Sequence, residues 1–311
     1  MMNIVCNIDH NYIKYCVVML VSLLENNKGN NISIYIIASD LRKEDKQLMA
    51  DLLSQYDHQL FFYDVSDDIL RNCPIREGSY ISVSTYFRIF LSTILPETVS
   101  KVLYLDCDLI VRKDIKALWN TDITNYALAC VEDTCSNSKD ENPYVRLGYS
   151  STYSYFNAGV LLINLDYWRE HKIQEQCLDY IQNNPNRLKY YDQDVLNAIV
   201  HDQKLFVSFT WNMQEGFYRR KRRIRKQVWT EIDQYLDDPS ILHYLGRRKP
   251  WHAKASYPLR SEWFIYLDKT IWKGERPSMR YWAKLLIGLN TVGTFLKVDK
   301  PRYIKLKHKP D

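Results

Sequence analysis

Lys101-Val102-Leu103-Tyr104-Leu105-Asp106-Cys107-Asp108-Leu109-Ile110-Val111 is the stretch from which the rest of the chain can be read. Its apolar, β-branched residues predict a buried strand, yet two carboxylates interrupt it two positions apart. Side chains of a strand alternate between faces, so Asp106 and Asp108 are expected to point the same way. Two like charges on an apolar strand repel each other and lose hydration, which is costly unless something compensates. A divalent cation does so best, and oxygen ligands suit Mn²⁺ or Mg²⁺. The plainer alternative is a strand that has surfaced with its acids in water.

Upstream, residues 84–95 read as a helix carrying Tyr86 and Arg88 that leads into this strand. Residues 3–8 form a short apolar strand, Asp9-His10-Asn11 a turn and helix cap, and 12–24 an apolar helix. Strands at 32–38 and 59–65 flank an amphipathic helix at 44–56. This alternation implies an α/β fold with a mostly parallel central sheet and helices on both faces. Ligands bind such sheets beyond the carboxyl ends of the strands, where Asp9 and the Asp106/Asp108 pair both fall.

Downstream, 127–131 reads as a strand and 132–152 as a polar, turn-rich loop over the site. Residues 155–165 form another apolar strand, and Asp166 is expected to cap a helix running to about residue 183. Tyr190-Tyr191-Asp192-Gln193-Asp194 opens a further helix, and short strands are expected at 206–211 and 241–244. Between them lies a basic run, 219–226. No internal repeat or low-complexity linker separates these segments.

The net charge of +5 is unevenly placed. Residues 273–311 hold ten Lys/Arg against three Asp/Glu, so that tail carries +7 and the remainder −2. Overall basicity therefore gives no argument for nucleic acid, and the aromatics near 219–226 follow no RNA-binding pattern. The seven cysteines (Cys6, Cys16, Cys73, Cys107, Cys130, Cys135, Cys177) include no C-x-x-C pair, so neither a disulfide framework nor a zinc site is indicated. No basic n-region or cleavage site opens the chain, and the apolar run 16–24 is too short to span a bilayer. A reduced, cytoplasmic protein is expected.

The motifs Ser84-Thr85-Tyr86-Phe87-Arg88, Tyr104-Leu105-Asp106-Cys107-Asp108, Tyr155-Phe156-Asn157-Ala158-Gly159, Tyr191-Asp192-Gln193-Asp194 and His243-Tyr244-Leu245-Gly246-Arg247-Arg248-Lys249-Pro250-Trp251-His252 follow one another in this order along the chain. Their set resembles glycosyltransferase family 8, in particular bacterial lipopolysaccharide galactosyl- and glucosyltransferases, across about residues 3 to 260. The resemblance implies a GT-A fold, a UDP-galactose or UDP-glucose donor, Mn²⁺ with Mg²⁺ as the alternative, and retention of anomeric configuration. It implies donor contacts from Asn7, Asp9, Asn11, Arg88, Asp106, Cys107, Asp108, Asn157, Ala158, Gly246 and Lys249.

Each assignment has a bland counterpart in the residues themselves. His243 on a short apolar strand is ordinarily a packed imidazole. Gly246 permits close backbone approach, however, and Lys249 supplies a point charge for phosphate. With Asp106 and Asp108, His243 would give three ligands, and the imidazole favours Mn²⁺ over Mg²⁺. Asp9 could accept from a base N–H or merely cap a helix. Asn157 is an odd residue for an apolar strand, and its amide must find partners, which sugar hydroxyls would supply. His10 and Asn7 depart from the residues of some relatives and bear on the base pocket. By the resemblance, Asp192 and Gln193 bracket the anomeric carbon. Gln193 is neutral and a poor nucleophile, which favours a front-face reaction over double displacement, with Asp192 as the alternative nucleophile.

The expected protein is a GT-A glycosyltransferase domain, 1–268, followed by a basic aromatic tail, 269–311. It would move a hexose to a saccharide acceptor of a lipid-linked envelope glycan. The alternative is a non-catalytic nucleotide-sugar or glycan-binding protein of the same fold. Tyr281, Lys284, Leu285 and Gly288 fall at helical spacing in the tail. Such a basic, aromatic segment suits peripheral attachment to anionic lipid on the inner face of the cell membrane.

Overall fold

Among the described residues, ten strands order the chain: β1 (Met2–Asn7), β2 (Ile32–Ala38), β3 (Gln59–Asp64), β4 (Lys101–Leu105), β5 (Leu109–Val111), β6 (Leu128–Glu132), β7 (Phe156–Asn164), β8 (Lys204–Phe206), β9 (Met213–Gln214) and β10 (Ile241–His243). They come from a computed structural model that describes residues 1–71, 73–74, 83–135, 142–278 and 301–307. Seven strands make the main sheet in the order β3-β2-β1-β4-β7-β6-β8. β7 runs antiparallel to both β4 and β6, and the other pairings are parallel. The sheet is thus mostly parallel, as the β-α-β spacing implied. β2 is buried along its whole length, as expected of a strand covered on both faces.

A second sheet, β5-β10-β9, begins where the first stops. The stretch 101–111 is therefore not one strand. It breaks at Asp106-Cys107-Asp108, and the two halves join different sheets. Asp106 and Asp108 converge because a turn carries them, not because a pleat aligns them. Asp106 N–H donates to Gly159 O at 2.9 Å on the β7 side, and Asp108 O accepts from Tyr244 N–H at 3.0 Å on the β10 side.

The helix Ile13–Glu25 is apolar almost all round because it is covered almost all round. It packs against β5, the helix Lys43–Leu53 and the helix Arg260–Leu267. Its buried Ser22 and its C-cap Asn26 are used on β5. Ser22 Oγ accepts from Val111 N–H at 2.9 Å, and Asn26 Nδ2 donates to Val111 O at 3.0 Å. This helix thereby fixes the exit of the carboxylate turn.

Three other local expectations change. Residues 83–94 form a 3₁₀ helix, Val83–Phe90, followed by a short α-helix, Leu91–Ile94. Residues 165–183 split into Leu165–Glu170 and Ile173–Asn183 at Lys172, whose φ is +53°. Asn164, not Asp166, caps the first of them, accepting from Tyr167 N–H at 3.0 Å. Residues 206–211 run from the last residue of β8 into a 3₁₀ turn, Phe209–Asn212, rather than forming a strand.

The end of the chain lies against the body wherever it is described. Trp272, Ile304 and Leu306 pack on the main core, and Arg276 pairs with Asp268. Tyr303 bridges antiparallel to Arg219, and Ile304 N–H donates to Tyr218 O at 2.9 Å. The expected helical spacing of Tyr281, Lys284, Leu285 and Gly288 lies outside the described residues. Among those described, no helix is long and apolar enough to cross a membrane.

Candidate active site

A cavity of about 400 Å³ opens beyond the carboxyl ends of β1 and β4, where adjoining strands diverge into the second sheet. Strand pairing assembles it. β1 pairs with β4, so Asn7 and Asp9 arrive beside Asp106. β4 pairs with β7, so Asn157, Ala158 and Gly159 flank the same turn. β5 pairs with β10, which sets His243 opposite Leu109 and next to Asp108.

Asp106, Asp108 and His243 each offer one ligand atom, and these atoms lie within 4.8 Å of one another. His243 Nε2 is 3.2 Å from Asp108 Oδ1 and 3.9 Å from Asp106 Oδ2. It is buried and makes no well-formed hydrogen bond. An orphaned imidazole nitrogen between two carboxylates is the donor set of a divalent cation, so the residues present fit one. Gly159 leaves the space they need, since a Cβ there would sit 2.2 Å from His243 Cε1 and 2.8 Å from Asp106 Oδ2.

The protein also carries its own counter-charges. Lys249 Nζ donates to Asp108 Oδ2, and Arg88 Nη2 donates to Asp106 Oδ1 at 2.9 Å. Burial pushes the Asp108 carboxyl up, but Lys249 and His243 outweigh it and hold it below the usual carboxylate range. Arg88 is 5% exposed and also pairs with Asp192 through Nε at 2.9 Å. It donates further to Ala158 O and stacks over the Tyr104 ring at 4.2 Å. A buried guanidinium thus joins the turn to Asp192, on the helix Tyr191–Ile199.

Asp192 accepts from Thr85 Oγ1 at 2.6 Å. Burial raises its carboxyl to about 6 against the opposing pull of Arg88 and Thr85. Gln193 is held at both ends. Its Oε1 accepts from Ala158 N–H at 3.0 Å and Asn157 Nδ2 at 3.2 Å, while Nε2 donates to Tyr155 OH at 3.0 Å. Asp194 is fully buried and anchors the start of this helix. It accepts from Lys189 and Tyr190 N–H and from Tyr155 OH, and Arg146 forks onto both its oxygens.

Most of the sequence-predicted residues line this cavity: Asn7, Asp9, Arg88, Asp106, Cys107, Asp108, Asn157, Ala158, Asp192, Gln193, His243, Gly246 and Lys249. Asp9 lines the cavity and is also a cap, its Oδ1 accepting from Asn11 N–H at 2.9 Å. Asn11 is exposed and is not among the lining residues; Tyr12 is. His10 turns away to Asp45 at 2.9 Å. The Asn157 amide finds its partners within the protein. Nδ2 donates to Asp133 Oδ2 at 3.1 Å, and Oδ1 accepts from Gly159 N–H at 3.0 Å and Asn212 Nδ2 at 2.9 Å.

Sequence reasoning missed Asp133, Arg146, Tyr155 and Glu215, which also line the cavity, as does Arg219 from the basic run 219–226. Asp133 follows β6 directly, and burial raises its carboxyl despite hydrogen bonds from Cys135 N–H, Asn157 and Gln193. An acid ending an apolar strand at the same sheet edge as Asp9 was the available signal. Glu215 had none, because its partners Arg219, Arg302 and Tyr303 come from a local turn and the far end of the chain.

The sequence profile of glycosyl transferase family 8 matches residues 3–255. The chain belongs to that family. The family 8 enzyme is 29% identical to general stress protein A of Bacillus subtilis over 87% of its own length and 94% of that protein. It is likewise 29% identical to the lipopolysaccharide 1,2-glucosyltransferase of Escherichia coli K12, over 89% of this chain and 80% of that one. Its fold matches a galactosyltransferase, LgtC, solved with donor and acceptor sugar analogs, at a TM-score of 0.79. That match has 24% identity and covers 91% of this chain and 99% of the other. The family 8 fold is GT-A, and a glycosyltransferase of this family takes a nucleotide-sugar donor and a saccharide acceptor.

Proposed function

We propose that the enzyme transfers galactose or glucose from its UDP-sugar, with retention, to the saccharide of a lipid-linked cell-envelope glycan. The observation that carries this reading is the cluster of Asp106, Asp108 and the orphaned His243 Nε2, with Lys249 already on Asp108. Those three side chains would hold the divalent ion, Mn²⁺ in this reading because an imidazole joins two carboxylates. The ion would offset the negative charge of the leaving diphosphate. Lys249 adds a second positive charge to the same face, and Gly246, with φ +89°, lets the backbone come close. Asp9 and the buried, unpartnered Asn7 amide line the same cavity and would meet the base and ribose.

Arg88, Asp192 and Gln193 orient the donor sugar. Gln193 carries no charge and both ends of its amide are bonded, so it holds position and does not attack. Asp192 is engaged by Arg88 and Thr85, which makes it a poor nucleophile and a good acceptor for a sugar hydroxyl. The geometry therefore favours front-face transfer, in which the leaving phosphate oxygen takes the acceptor hydroxyl's proton. Residues 1–268 form the catalytic domain in this reading, and the tail 269–311 serves attachment to an anionic membrane surface. The relatives' names, a lipopolysaccharide glucosyltransferase and a galactosyltransferase, support the hexose and the glycan class.

The test is hydrolysis of a donor panel with Mn²⁺. UDP-galactose or UDP-glucose should be cleaved well above UDP-N-acetylglucosamine and GDP-mannose. Preference for a GDP-sugar would refute the donor, and cleavage of none would favour a binding protein with the same fold.

A further inference from the structure

Asn212 lies outside the sequence-predicted site and is fully buried, in the turn Phe209–Asn212 behind β10. Its Oδ1 is 2.9 Å from His243 Nδ1, and its Nδ2 donates to Asn157 Oδ1 at 2.9 Å. Resting on the metal-site reading above, we infer that Asn212 is a positioning residue that fixes the His243 tautomer and so presents Nε2 to the metal. The logic starts from a backbone group that cannot change role. Gly159 N–H is only a donor, so the Asn157 atom it reaches at 3.0 Å must be the carbonyl oxygen. The other end of Asn157, its NH₂, then faces Asp133 Oδ2 and Gln193 Oε1, both acceptors.

An acceptor at Asn157 Oδ1 requires the NH₂ of Asn212 opposite it. Asn212 therefore turns its own oxygen to His243, and Nδ1 must carry the proton. Nε2 is left with its lone pair pointing between Asp106 and Asp108. Four groups in series, Gly159 N–H, Asn157, Asn212 and His243, relay one direction of donation to the metal ligand. Partners of this kind that orient a metal-bound imidazole commonly matter about 10–100-fold in metal affinity.

The test uses Mn²⁺ alone and the full chain. Free Mn²⁺ is followed by electron paramagnetic resonance for the wild type, Asn212→Ala and Asn212→Asp. Asn212→Ala should bind Mn²⁺ about 10–100-fold more weakly with its melting temperature little changed. Asn212→Asp keeps an acceptor toward Nδ1 but sets its second oxygen against Asn157 Oδ1, so it should recover part of that loss and bind Mn²⁺ between the other two. Equal affinity in a folded Asn212→Ala overturns the inference while leaving the metal site standing. Failure of the wild type to bind Mn²⁺ overturns the metal site itself. Should both variants fail to fold, ¹⁵N spectra of the metal-free wild type in alkaline buffer decide, with His243→Gln assigning the signal. A proton on Nδ1 supports the inference, and a proton on Nε2 refutes it.

Discussion

The residues of the site act through pairs, and the pairs make their ionisation consequential. Asp192 is buried beside Arg88 and Thr85, with Asp106, Cys73 and Tyr86 also facing it, and its carboxyl is raised to about 6. A carboxyl above its unfolded value of about 3.9 binds its proton more tightly when folded. Its contribution to stability is present at low pH and is lost as pH rises through about 6. The anion, which in the proposed reading would accept a sugar hydroxyl, appears over the same interval. Transfer rate should therefore rise with pH through about 6, and Asp192→Asn should lower the rate and flatten that limb in a kcat profile. An unchanged limb in Asp192→Asn would assign it to another group. Gln193 gives a second test at this scale. Gln193→Ala removes its bonds to Asn157, Ala158 and Tyr155 and should slow turnover at least about tenfold, the effect of about 1.4 kcal/mol on the barrier. Intact mass spectrometry should find no glycosylated enzyme in the wild type. A hexosyl adduct on Asp192 would replace front-face transfer with double displacement.

The elements set those residues in place, and here sequence and structure part company instructively. β1, β2 and the helix Ile13–Glu25 were legible because apolar periodicity is a local property. The break in 101–111 was not, because both halves are equally apolar and only sheet partners tell them apart. Asp106 and Asp108 were found for the right chemistry and the wrong geometry. The turn Phe209–Asn212 was partly read as the strand 206–211, which stopped one residue short of Asn212. Arg88, Asp192 and Gln193 were legible through family motifs, whereas the Glu215 cluster depends on residue pairs 88 apart in sequence. One element-level dependence is testable directly. Ser22 Oγ is the partner of Val111 N–H in β5, so Ser22→Ala would leave that buried donor unsatisfied. The expected cost is about 1–3 kcal/mol, read as a fall in urea midpoint, with weaker Mn²⁺ binding as β5 loosens. Unaltered stability would mean that another group takes over the Val111 N–H.

At the scale of the whole molecule, residues 301–307 of the tail pack on the body, and the tail's charge makes it a candidate for contact outside. Tyr303 OH donates to Glu215 at 2.5 Å and Arg302 pairs with it at 3.0 Å, so truncation at 273 would disturb the cavity wall as well as remove charge. Charge is better removed in place. Changing Arg280, Lys284, Lys297 and Lys300 to Gln should cost about 4 kcal/mol of binding to anionic vesicles at low salt, at about 1 kcal/mol each. UDP-hexose hydrolysis should be unaffected, and equal binding of the wild type to neutral and anionic vesicles would return the tail to a purely structural role. The proposed transfer requires that Asp106, Asp108 and His243 hold a divalent ion that recruits the nucleotide diphosphate. Calorimetric titration of UDP into the wild type and Asp108→Asn, with and without Mn²⁺, tests it most directly. UDP should bind the wild type only with Mn²⁺, and Asp108→Asn should lose that binding while remaining folded. Binding of UDP that ignores both Mn²⁺ and the substitution would contradict the claim.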